Sequence, residues 1–162
     1  MATAWNDLAA IKETFGLLAA PRRLAMAAEL LEWTAANFRT PFGDPAVSDI
    51  VTRSATAVRD AIGRGASTAT GSGLTGELYD VSEETEERGA EEILLSYYLC
   101  FDDLDPEIRP DRLVSMFDQC YQADVRRYSE VAIAIGENPE VTSREQQILD
   151  YQRALIARYT CS

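Results

Sequence analysis

The chain has 162 residues, a formal net charge of −12 and no histidine, and 46% of its residues are hydrophobic. This length and composition fit one domain that buries its own core, and the negative charge opposes binding to nucleic-acid phosphates. The absence of histidine excludes Ser-His-Asp and Cys-His nucleophile activation, and it excludes zinc or haem ligation through imidazole.

Lysine and cysteine also offer little chemistry. The only lysine, Lys12, lies within a predicted helix and follows no glycine-rich loop, as a P-loop lysine would. The three cysteines, Cys100, Cys120 and Cys161, fit neither a disulfide framework nor a CxxC metal site. We therefore expect no enzymatic activity, no cofactor and no structural metal. Without a secretory signal or an apolar run long enough to span a bilayer, we also expect a cytoplasmic protein without a membrane partner.

Hydrophobic residues recur at intervals of three and four, which predicts an all-α, single-domain bundle of about six helices. Three of these helices are expected before the middle of the chain, over residues 3–18, 21–38 and 45–62. Asp44 before Pro45 is typical of a helix N-cap, and Gly63 is a natural stop for the third helix.

Residues 63–76 hold five glycines and five serines or threonines. Since Leu74 is almost their only apolar residue, we expect a mobile loop in the middle of the chain. Residues 71–76, Gly-Ser-Gly-Leu-Thr-Gly, match the GxGxxG pattern formally. A dinucleotide-binding fingerprint follows a strand, whereas a predicted helix precedes this one, so the pattern lacks its structural context.

Three more helices are expected over residues 82–101, 110–135 and 143–159. Ser82 would cap the fourth, whose acidic first turns would lie at the positive end of the helix dipole. The second half of that helix is apolar almost all round, which predicts that it enters the core. A capping box from Thr142 to Glu145 would open the sixth.

The charge is concentrated in one segment. Residues 77–107 contain twelve acidic residues and one arginine, for a net charge of −11. The candidate partner-binding residues are the exposed acids expected on the fourth helix and on the turn after it: Glu83, Glu84, Glu86, Glu87, Glu91, Asp102, Asp103 and Asp105. The acids on the helix indicate either a docking surface for a cationic protein or a face that is simply solvated. The acids on the turn indicate either a divalent-cation site or an acidic connection between helices.

The leading hypothesis is a protein-binding domain that neutralises a basic partner, such as an immunity or inhibitor protein for a toxin. One alternative is a small-molecule or divalent-metal-binding domain with a pocket among Tyr97, Tyr98, Tyr121 and Tyr128. Another is a subunit of a larger helical assembly. The Arg22-Arg23 and Arg126-Arg127 pairs could contact phosphate, but we expect them to pair with the acidic segment.

Overall fold

A computed structural model describes residues 8–71, 73–133 and 139–160, and it describes the side chains in these ranges except at residues 8, 129–133 and 139–142. The described ranges contain no β-strand and seven α-helices: α1 (Leu8–Gly16), α2 (Ala20–Ala36), α3 (Pro45–Gly63), α4 (Leu74–Glu84), α5 (Ala90–Tyr98), α6 (Pro110–Ile133) and α7 (Pro139–Thr160). The all-α prediction is confirmed.

Helix α2 lies at the centre of the bundle and packs against α3, α5, α6 and α7. Its apolar face is buried, with Leu24 and Leu31 fully shielded from solvent. On α1, Phe15 stacks on Phe117 of α6 with ring centroids 5.5 Å apart. One continuous hydrophobic core therefore links the early and late helices of the chain.

Several predicted helix ends agree with the structure to within two residues. The Asp44 carboxylate accepts a hydrogen bond from the backbone N–H of Ala46 at 2.9 Å, as an N-cap residue does. Residues 3–7 of the first predicted helix and residues 134–135 of the fifth lie outside the described residues. The prediction of a capping box from Thr142 to Glu145 is wrong, because α7 already begins at Pro139.

The prediction of one helix over residues 82–101 is wrong. The chain forms α4, a connection of residues 85–89, and then α5. Ser82 lies in the last turn of α4, where its hydroxyl donates to the carbonyl of Tyr79 at 2.6 Å instead of capping a helix start. Thr85 is extended, and Gly89 has a φ of 79°, a left-handed conformation that glycine adopts without strain.

The predicted loop over residues 63–76 is present but shorter, because Gly63 ends α3 and residues 74–76 belong to α4. Its middle is anchored: the Ala69 N–H donates to the Cys100 carbonyl at 2.8 Å, and the Asp102 N–H donates to the Ala69 carbonyl at 3.1 Å. Ala69 is fully buried, so this loop does contribute to the core. The mobility of its remaining residues stays a prediction.

Candidate functional site

Helices α4 and α5 form an antiparallel hairpin. Residues 85–89 connect the end of α4 to the start of α5, whereas the Thr75 hydroxyl at the start of α4 donates to the Asp103 carboxylate beyond α5, at 2.7 Å. The two groups of candidate acids therefore lie at opposite ends of this hairpin. Helix α5, which runs from one end of the hairpin to the other, has nine residues and is therefore about 14 Å long.

The first group forms an exposed acidic surface at the connected end of the hairpin. We call this surface the acidic tip and define it as Glu83, Glu84, Glu86 and Glu91, all of which are exposed as expected. Glu83 and Glu84 lie in the last turn of α4, which contains no basic residue. Carboxylates there face the negative end of the helix dipole, opposite to the sequence-based expectation. The helix dipole therefore predicts that these charges disfavour the folded state.

Tyr79 lies one turn before Glu83 on α4, and 52% of its surface is exposed. The charge of the Glu83 carboxylate, followed by a hydrogen bond from the phenol to it, raises the pKa of the Tyr79 hydroxyl. The phenol therefore stays protonated and can donate. Exposed tyrosines are enriched at protein interfaces, since one side chain offers both apolar area and a hydrogen bond.

Glu87 does not belong to this surface, and the expectation that it is exposed is wrong. Only 18% of its side chain is exposed, and its Oε2 atom lies 3.0 Å from the Arg127 Nη1 atom. The same carboxylate accepts hydrogen bonds from the backbone N–H groups of Gly43 at 3.0 Å and Asp44 at 2.8 Å. Glu87 therefore connects three parts of the fold.

Arg127 is the other half of this connection. Its side chain is 6% exposed and donates to the carbonyls of Thr40 at 2.6 Å, Pro41 at 2.9 Å and Arg88 at 2.8 Å. The guanidinium also lies 4.6 Å from the centroid of the Phe42 ring. A buried arginine with this many partners has a structural role.

Arginines from other helices neutralise further acids of the segment. Four more ion pairs are formed: Arg53–Glu77 at 2.7 Å, Arg126–Glu92 at 3.3 Å, Arg112–Asp105 at 3.2 Å and Arg23–Glu107 at 3.2 Å. The expected pairing with the acidic segment is therefore confirmed for Arg23, Arg126 and Arg127. Arg22 instead donates to the carbonyl of Tyr159 at 3.1 Å. These pairs leave much of the exposed negative charge at the acidic tip.

The second group of candidate acids serves the local fold. Asp103 accepts from Thr75, Asp105 pairs with Arg112, and Asp102 is exposed beside the backbone bridge to Ala69. Among the described residues, no three acidic or cysteine side chains are grouped as metal ligands would be. The turn therefore gives no geometric support to a cation site.

The structure also contains a cleft that the sequence analysis did not locate. It has a volume of about 570 Å³ and lies between α2 and α3, with Tyr97 of α5 among its lining residues. The other candidate tyrosines lie elsewhere: Tyr98 packs against the main core, Tyr121 packs with Ile148 and Leu149, and Tyr128 lies under the Arg39 guanidinium. No signal in the sequence locates this cleft, because its lining residues come from different helices.

No family model matches the chain, and no curated protein or solved structure shows significant similarity to it. Within the described ranges, none of the helices combines the length and the apolar composition that crossing a bilayer requires.

Proposed function

We propose that this chain is a cytoplasmic protein-binding domain whose acidic tip docks onto a basic surface of a partner protein. The observation that carries the proposal is the position of Glu83 and Glu84 at the end of α4. Both are exposed, and the last turn offers no basic residue. A sequence selected only for stability would avoid acids there, because each costs about 0.3–1 kcal/mol through the helix dipole.

The internal ion pairs support this interpretation by contrast. Five other acids of the segment have an arginine beside them, as Glu77 has Arg53 and Glu87 has Arg127. The four tip acids present a net negative charge to solvent, although Arg88 and Arg126 line the same depression as Glu86 and Glu91. Such a surface attracts a cationic partner from a distance and accelerates association.

Tyr79 supplies what a purely charged surface lacks. Rim charges mainly affect the association rate, whereas aromatic residues that become buried carry much of the binding energy. Tyr79 is half exposed in the free protein and lies beside Glu83. In the proposed complex its ring would be buried, and the surrounding carboxylates would pair with arginine or lysine side chains of the partner.

A nuclease-type toxin is one partner of suitable chemistry. Its substrate site must be positive because it binds phosphates, and carboxylates can occupy such a site in their place. An immunity or inhibitor protein that covers the site in this way needs no catalytic residue. The described thiols agree with such a role, since burial raises the pKa of Cys120 to about 12 and keeps both Cys100 and Cys120 protonated.

The proposal is tested with three tagged baits in a cytoplasmic extract of the native organism. The baits are the natural chain, a tip variant (Glu83→Gln, Glu84→Gln, Glu86→Gln) and a control variant (Glu13→Gln, Asp60→Asn, Asp118→Asn). The control changes the net charge by the same amount at exposed acids outside the tip. The expected result is a basic protein that the natural and control baits retain at low salt and that the tip variant loses.

Retention of the same protein by all three baits would show that the acidic tip is only a solvated surface. The alternative that the chain is a subunit of a larger helical assembly is tested by light scattering on the natural chain. A large homo-oligomer would favour that alternative.

A further inference from the structure

The cleft between α2 and α3 has the dimensions of a small-molecule site. Its volume of about 570 Å³ falls within the range that such sites usually occupy. Its walls are mostly apolar, with Ala35 on α2, Val51 and Ala55 on α3, and Phe42 from the segment between them. This surface is independent of the acidic tip.

Tyr97 gives the cleft a specific polar group. The residue is 1% exposed and lines the cleft, and no hydrogen bond with another described residue engages its hydroxyl. Burial strongly raises the pKa of this phenol, so it stays neutral and available as a donor. Among the described residues, the Tyr97 hydroxyl is not one of the side-chain atoms that are both sealed from solvent and unpaired, so it has access to the cleft. Tyr97 can therefore donate a hydrogen bond to an oxygen of a ligand in the cleft.

The remaining polar groups of the cleft determine the charge of that ligand. Arg59 and Glu32 form a bidentate ion pair, with Nε–Oε2 at 2.7 Å and Nη2–Oε1 at 2.5 Å, so their charges cancel. The hydroxyls of Thr52 and Thr56 donate to helix carbonyls one turn earlier, both at 3.0 Å. The cleft therefore carries no net charge, and a neutral ligand would leave these interactions intact.

We propose that this cleft binds a neutral, largely apolar small molecule that carries a carbonyl-type oxygen, and that this oxygen accepts a hydrogen bond from Tyr97. A docked helix fits less well, because its backbone carbonyls are already bonded and its apolar side chains offer no acceptor. The proposal rests on the Tyr97 hydroxyl and the cleft walls, so it stands or fails separately from the proposed role of the acidic tip.

The test uses two neutral fluorescent probes. One is 6-propionyl-2-(dimethylamino)naphthalene, whose ketone supplies the acceptor and whose emission shifts to the blue in apolar surroundings. The other is 2-(dimethylamino)naphthalene, which lacks the ketone. The natural chain should bind both. Tyr97→Phe should weaken binding of the ketone probe about fivefold to tenfold and leave the other probe unaffected, because only one hydrogen bond is removed.

A second pair of variants locates the bound probe. Ala55→Phe and, at the exposed rim, Ala36→Trp place a large side chain in the cleft and should abolish binding of both probes. Thermal unfolding verifies that each variant is folded. One folded variant is enough to compare probe binding with that of the natural chain.

Any of the following results would overturn the proposal. The first is undiminished probe binding in a folded cleft-filling variant. The second is equal affinity of the natural chain and Tyr97→Phe for the ketone probe, or no binding by the natural chain. The third is a dimer that dissociates when the cleft is filled, which would assign the cleft to a second copy of this chain.

Discussion

The Glu87 carboxylate and the Arg127 guanidinium lie 3.0 Å apart and hold together three segments that are distant in sequence. Glu87 comes from the connection between α4 and α5, and Arg127 comes from α6. Both also bind the backbone between α2 and α3, Glu87 through Gly43 and Arg127 through Pro41. This ion pair therefore fixes the hairpin end that carries the acidic tip.

Replacing Glu87 should therefore destabilise the protein. Glu87→Gln removes the charge opposite a nearly buried arginine, and we expect the free energy of unfolding to fall by about 3 kcal/mol. Glu86→Gln, one residue earlier and exposed, should leave it unchanged within about 0.5 kcal/mol. Urea unfolding of both variants checks the difference. Equal stability of the two variants would show that the ion pair contributes nothing.

Gly89 should tolerate no side chain. Its φ of 79° disfavours other residues, and a Cβ there would lie 2.7 Å from the Ala123 carbonyl oxygen. We expect Gly89→Ala to lower the free energy of unfolding by about 2–4 kcal/mol. The matched control is Gly76→Ala inside α4, where nothing lies within 4 Å of the added carbon. That change should stabilise the protein by up to about 1 kcal/mol. Thermal unfolding measures both variants, and a higher stability of Gly89→Ala than of Gly76→Ala would contradict this account.

Acids at the two ends of α4 should act oppositely on stability. Glu84 lies at the negative end of the helix dipole, so Glu84→Gln should raise the free energy of unfolding by about 0.3–1 kcal/mol. Glu77 lies in the first turn and pairs with Arg53, so Glu77→Gln should lower it. Chemical denaturation at low and high salt checks both signs, and both differences should shrink at high salt. Destabilisation by Glu84→Gln would remove the argument that the tip acids are unfavourable for folding.

The features of this fold that the sequence predicts are those that depend on residues close together in the chain. The start of α3 at Pro45 follows from the Asp44 cap. Helix α3 ends at Gly63 as predicted, but the left-handed residue that terminates it is Gly65, with a φ of 72°. The break between α4 and α5 could not be predicted in this way. The space beside Gly89 is limited by Ala123 of α6, which is a tertiary contact.

In the candidate site, too, some features follow from neighbouring residues and others depend on tertiary contacts. The exposed charge at Glu83 and Glu84 follows from local composition, whereas the burial of Glu87 depends on Arg127, forty residues later. The cleft could not be predicted, because Ala35, Val51 and Tyr97 come from three different helices. Hydrophobic periodicity marks which residues face the core, but it does not show where facing helices leave space.

The buried thiols should make the protein less stable at alkaline pH. Burial raises the pKa of Cys120 from its ordinary value of 9.0 to about 12 and raises that of Cys100 as well. A group with a raised folded-state pKa contributes fully below the unfolded pKa, and its contribution is lost as the pH rises toward the folded pKa. We therefore expect the free energy of unfolding to fall above about pH 9, by about 1.4 kcal/mol per pH unit for each thiol.

Urea unfolding between pH 8 and pH 10.5 measures this slope. The double variant Cys100→Ala, Cys120→Ala should be less stable at pH 8 because it leaves cavities, but its stability should fall less steeply with pH. Identical slopes in the natural chain and the variant would assign the alkaline loss to other groups, such as Tyr121, whose pKa burial raises to about 12.

The central claim is that the acidic tip steers a basic partner onto the protein. The most direct test is stopped-flow association with the captured partner across a salt series, using the natural chain, the tip variant and the control variant. At low salt the tip variant should associate about tenfold more slowly than the natural chain, while the control associates nearly as fast as the natural chain. The difference should vanish near 1 M salt, where the Debye length is about 3 Å. An association rate that is indifferent to both salt and the tip substitutions would contradict the account.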